Sequence, residues 1–154
     1  MNQYILLLLL SNAVAILQLI ASLKWPGIAR LSFFLLFSWA CWINWKTAHQ
    51  NPSDYLNYAS LTWSSFYEHF INGWFTQNIK PAVSIIAICQ GITGISMLLK
   101  GWVFKIGRMG AMLFLIAILP FGIRSGFPCT AIMAIAIFIL LKKHGSNFVW
   151  KTST

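Results

Sequence analysis

Groups able to move protons, hold metals or attack a substrate are scarce in this sequence. There are two acids, Asp54 and Glu68, and three histidines, and both acids lie with His49 and His69 in one stretch, 46–80. Glu68 could set the proton affinity of a histidine or pair with Arg124, and His49, His69 and a carboxylate are conceivable metal ligands. On a helix, however, adjacent Glu68 and His69 point about 100° apart. A solvated polar strip is therefore expected first, a contact for a small ligand or partner second, and metal or acid-base catalysis last.

The apolar segments carry Asn12, Gln18, Ser38, Asn44, Gln90 and Thr93, all uncharged. Proton relays, ion pathways and voltage sensing thus lack their usual mid-span charges. Gln90 stands near the middle of its segment, where hydrogen bonding between helices is expected ahead of ligand contact; lining a path for a small neutral solute is a further reading. Trp39, Trp42, Trp45, Tyr55, Tyr58, Trp63, Tyr67 and Trp74 crowd one region. An aromatic belt at a membrane surface explains them, and a flat apolar ligand such as a quinone or an isoprenoid lipid could use the same rings, Trp63 and Trp74 among them. Cys41, Cys89 and Cys129 form no Cys-x-x-Cys pair and read as small buried hydrophobes, a Cys41–Cys129 disulfide being the alternative. There is no nucleotide-binding loop and no pair of histidines placed to hold a haem within the spans.

Composition says what must position these groups. Of 154 residues 58% are hydrophobic and 8% charged, against about a quarter charged in soluble domains. The net charge of +9 is spread between apolar runs rather than clustered, which argues for orientation in a membrane and against nucleic acid. Crossing about 30 Å of hydrocarbon takes around 20 helical residues. Five segments meet or approach that length, 4–23, 27–45, 81–99, 106–123 and 127–141, within a single membrane domain, 1–154. The first lacks a basic leader and a small-residue cleavage site and is expected to stay as a span. The last two are short, so Arg108, Lys142 and Lys143 are expected to snorkel to the headgroups. Pro26-Gly27, Lys80-Pro81 and the run Gly122 to Pro128 mark joints, and Pro120 should kink the fourth span.

Alternating the spans puts Lys24, Arg30, Lys100, Lys105, Arg108, Lys142, Lys143 and Lys151 on one side and Lys46, Lys80 and Arg124 on the other. Eight against three predicts that the first side is cytoplasmic, with the amino terminus outside and the carboxyl terminus inside. The connection between the second and third spans opens on Asn51-Pro52-Ser53-Asp54, a helix-start pattern. Leu56, Ala59, Trp63, Phe66, Phe70 and Trp74 then recur at helical spacing. An amphipathic interfacial helix over 52–75 is expected, its aromatic stripe against lipid or the bundle. Gly91 and Gly94 on the third span and Gly107 and Ala111 on the fourth, with Ala87, Ala131 and Ala134, would let helices approach closely.

Between positions 27 and 143 the layout resembles the DoxX-like superfamily of small bacterial membrane proteins. The local match runs through Cys89-Gln90-Gly91 and Leu98-Leu99-Lys100-Gly101 to Gly107-Arg108-Met109-Gly110-Ala111. It is similar to that family's glycine-rich span, basic turn and small-residue helix start, although an acid often stands there at the position of Gln90. The resemblance implies a four-helix membrane bundle, here with one added amino-terminal span, and some relatives are linked to quinone chemistry. An all-α integral membrane bundle of five spans is thus expected in a bacterial-type inner membrane. Its expected role is a non-catalytic accessory or assembly subunit in contact with lipid and other membrane subunits. No cofactor is required, a quinone being the one candidate. The competing roles are a component of a quinone-linked redox enzyme, with Glu68, His69 and Arg124 as its site, and a carrier for a neutral solute.

Overall fold

Long uninterrupted runs of Leu, Ile, Ala and Phe satisfy their backbone groups within single helices, as a chain surrounded by hydrocarbon must. The computed structural model describes residues 3–121 and 127–143, and among these there is no strand. Helix α1 spans Gln3–Lys24, α2 Pro26–Gln50, α3 Ser65–Phe70, α4 Ile79–Ser96, α5 Gly101–Ile118 and α6 Cys129–Lys143. Four of these, α1, α2, α4 and α5, are long and apolar enough to cross a membrane, whereas α6 is shorter. The chain is therefore a helical membrane protein. Its surface agrees: Leu7, Leu17, Leu35, Ile85, Ile92 and Leu113 are all exposed, an arrangement that only lipid or a partner would stabilise.

The five long helices close into a ring, α1 touching α2, α2 touching α4, α4 touching α5, α5 touching α6 and α6 returning to α1. Ala15, Phe33, Phe37, Met97, Phe104, Leu115, Met133 and Ile137 fill much of its interior. Because lipid supplies no hydrophobic drive between helices, close backbone approach and polar bridges must hold the ring. A Cβ on Gly94 would meet the Phe34 carbonyl and the Phe37 Cβ at 3.3 Å, and one on Gly91 would meet Cys41 Sγ at 3.2 Å. Both glycines thus serve contact with α2. Gly107 serves α4, since a Cβ there would stand 1.6 Å from Ser96 Oγ. Ala111 is fully buried. Gln18 Nε2 donates to Ser32 Oγ at 2.8 Å, tying α1 to α2.

Two expectations about these elements are corrected. The stretch 52–75 is not one amphipathic helix: a 3-10 helix, Pro52–Tyr58, is followed by a turn, the short α3 and a π-helical turn, Ile71–Phe75. The break has a cause. Ser64 is extended, Thr62 Oγ1 donates to the Pro120 carbonyl at 2.6 Å, Tyr67 Oη donates to the Ala117 carbonyl at 2.7 Å, and Gly73 departs from helical geometry. Contacts with the end of α5 thus override the local helical spacing, and the connection folds over one end of the ring as a cap. Trp63, Phe66, Phe70 and Trp74 remain exposed, while Ile71 is buried.

Arg108 does not snorkel. It is 1% exposed and donates through Nη1 to the Leu140 carbonyl near the end of α6. Arg30, 5% exposed, donates to the Met97 and Leu99 carbonyls at 2.8 and 2.6 Å just beyond α4. Burying a guanidinium in a membrane costs about 2.5–3.5 kcal/mol or more. Carbonyls at helix ends carry partial negative charge, and charge-assisted bonds contribute about 1.5–3 kcal/mol each, enough to offset much of that cost.

Of the cysteines, expected as small buried hydrophobes, Cys129 is buried, Cys41 is half-buried and Cys89 is exposed, and the alternative Cys41–Cys129 disulfide does not form. Both are free, Cys41 lying against Gly91 of α4 and Cys129 against Met133 within α6.

Candidate functional site

An interior cavity of about 480 Å³ lies inside the ring beneath the cap. Leu36, Phe37, Ala40, Val83, Leu115 and Met133 supply apolar wall, and Tyr55, Tyr58, Ile71 and Phe75 of the connection close over it. Among the described residues no charged side chain lines it. Its volume falls within the range of about 300–1,000 Å³ typical of small-molecule sites, and such sites combine apolar walls with few polar groups.

One set of polar groups forms a directed chain. Tyr55 Oη donates to Asn44 Oδ1 at 2.8 Å, and Asn44 Nδ2 donates to Gln90 Oε1 at 2.8 Å. Each link uses an acceptor and passes on a donor, so the chain ends in the Gln90 amide, whose oxygen is engaged and whose Nε2 carries the remaining N–H donors. Gln90 is 3% exposed. The Tyr55 phenol is held neutral: burial above all, and then neighbouring Tyr58, push its pKa from 10.0 up to about 12.

The second polar group is Thr130, in the first turn of α6 and also on the cavity wall. It is 4% exposed and its Oγ1 has no hydrogen-bond partner among the described residues. A helix-interior threonine usually bonds a carbonyl one turn back. Thr130 is the second residue of its helix and has no such helical carbonyl behind it.

Of the residues singled out in sequence, Gln90 reaches the cavity, as do Asn44 of the intramembrane polar residues and Trp39, Tyr55 and Tyr58 of the aromatic belt, whereas Glu68, His69, Trp63 and Trp74 do not line it. Glu68 and His69 are exposed on α3, His69 Nδ1 lying 2.8 Å from the Ser65 carbonyl. His49 stacks on Trp45 and bonds within α2. Trp63 packs edge-on to Phe127, and Trp74 stacks on Phe70. Arg124 lies outside the described residues. Among the described residues no group of three His, Cys, Asp or Glu could hold a metal ion. Tyr55 is legible in sequence only as one ring of the aromatic belt, and Thr130 carries no signal there beyond lying within the segment 127–141. Asn44 was visible as an intramembrane polar residue, which is the signal that could have found the chain.

Compared with protein-family models, curated proteins and solved structures, the chain matches none.

Proposed function

We propose that this is a five-span inner-membrane protein of DoxX-like layout in a bacterial-type cell, and that it holds a lipid-soluble small molecule, of the quinone or isoprenoid class, within its ring. Its role is that of a non-catalytic accessory subunit in a membrane complex, with the amino terminus outside and the capping connection at the outer surface. The observation that carries this reading is the apolar cavity crossed at its wall by the Tyr55–Asn44–Gln90 chain. An apolar body would replace void by dispersion contacts, while the few polar groups fix its orientation. The uncharged lining among the described residues suits a neutral molecule delivered from the bilayer.

The test is purification in mild detergent followed by solvent extraction and mass spectrometry. The protein should carry a lipid-soluble molecule in stoichiometric amount and bring a membrane partner with it. Ala40→Phe, which fills the cavity, should lose the molecule and keep the partner. A ligand-free protein that also takes up no added apolar compound would refute the cavity's role, and recovery of the lone chain would refute the subunit role.

A further inference from the structure

Resting on the reading of the cavity as a ligand site, we infer that its ligand carries two carbonyl-type acceptor oxygens on an apolar body, one received by Gln90 Nε2 and the other by Thr130 Oγ1. The case starts from what each wall leaves over. The Tyr55–Asn44–Gln90 chain has a fixed sense: phenol to amide oxygen, amide nitrogen to amide oxygen. With its oxygen already accepting, Gln90 offers the space an N–H.

Thr130 offers an O–H for an independent reason. Its hydroxyl is buried, borders the cavity and is unpartnered among the described residues. It also sits in the opening turn of a 15-residue helix. There the backbone N–H groups that have no intrahelical acceptor and the positive end of the dipole favour an electron-rich oxygen. A buried hydroxyl left without a partner costs about 1–3 kcal/mol, so an occupant that accepts its proton is favoured over one that cannot.

The two donors are on helices α4 and α6, which are not neighbours in the ring: α5 separates them on one side, α1 and α2 on the other. They therefore face a common interior from different walls, and a single occupant of a cavity of about 480 Å³ can meet both. A pure hydrocarbon would fill the space and leave both donors unanswered. Among the described residues an anion would find no cation in the lining to balance it. A neutral cyclic diketone with an alkyl tail satisfies each condition.

The experiment compares binding of a decyl-substituted cyclohexanedione with that of decylcyclohexane to the purified full chain in nanodiscs, by equilibrium dialysis. The dione should bind more tightly. Gln90→Leu and Thr130→Val should each weaken the dione about tenfold, the loss of one buried hydrogen bond, and leave the hydrocarbon's affinity unchanged. Thr130→Ser should restore dione binding, which separates a lost hydroxyl from a disturbed helix. Unchanged dione affinity in either variant, or an equal loss for dione and hydrocarbon, would overturn the two-donor assignment while leaving the cavity reading intact. If the wild-type protein binds neither compound, the cavity reading itself fails and this inference with it.

Discussion

Arg30 of α2 and Arg108 of α5 share one aromatic ring: their guanidinium carbons stand 3.8 and 3.7 Å from the centroid of Phe104. Two cations so close to one centroid would collide on a single face, so the ring lies between them. The arrangement joins α2 and α5 through a residue of α5 itself, and the carbonyls of Met97, Leu99 and Leu140 draw in the end of α4 and the end of α6. The faces of the ring and the carbonyl oxygens both present negative potential to these cations.

Phe104→Ala should accordingly destabilise the protein by about 3–5 kcal/mol, the usual cost of emptying a buried phenylalanine site, with the two cations' lost π contacts adding to it. Thermal unfolding in detergent followed by circular dichroism checks this. A loss below about 0.5 kcal/mol, within the range of surface substitutions, would mean that the ring does not hold the two arginines.

Gly107→Ala tests the α4–α5 contact. Helix propensity alone would favour alanine by about 1 kcal/mol. The new Cβ would fall 1.6 Å from Ser96 Oγ and 2.5 Å from Ser96 Cβ, and overpacking of this kind costs about 1–3 kcal/mol. A net fall in melting temperature is expected. Ser96→Gly in the same chain should recover most of it, and a double variant no more stable than Gly107→Ala would point to a cause other than this clash.

Tyr55 supplies a pH dependence. Its folded pKa, about 12, lies above its ordinary 10.0, so folding favours the neutral phenol. The stabilisation is complete below pH 10.0 and is lost as pH rises towards about 12. Titration at the phenolate absorbance should show one tyrosine ionising late, and Tyr55→Phe should remove that late phase. Removing the hydroxyl should also cost about 0.5–1.5 kcal/mol through the bond to Asn44 Oδ1.

Orientation is open to direct labelling. In a cysteine-free background, Ser60→Cys in the cap should react with an impermeant maleimide added to intact cells, and Lys100→Cys at the opposite end should react only after the membrane is opened. Both positions are exposed. Reversed reactivity would invert the proposed topology.

The five long helices were legible because apolar runs between prolines and glycines are local signals: the segments 4–23 and 27–45 correspond to Gln3–Lys24 and Pro26–Gln50. The cap was not, because its break depends on the Thr62 and Tyr67 hydroxyls reaching carbonyls of residues more than forty-nine positions away. Local spacing from Leu56 to Trp74 has no access to that. The arginines misled for a similar reason, since a cation near the end of a span looks free to reach water. Phe104 and Arg108 are four apart on one helix, which is a contact spacing, but Arg30 joins them only in three dimensions. Within the site, Gln90 stood out by its depth, whereas Tyr55 acquires its role through Asn44.

The return of α6 to α1 means that the wall bearing Thr130 comes from the segment translated after the other four long helices. Until that segment inserts, the interior is a trough open to the side, and lipid chains can occupy it. The full set of walls around the pocket is consequently a product of the last insertion step, and a molecule already lodged between the earlier helices would meet Thr130 only when that step occurs.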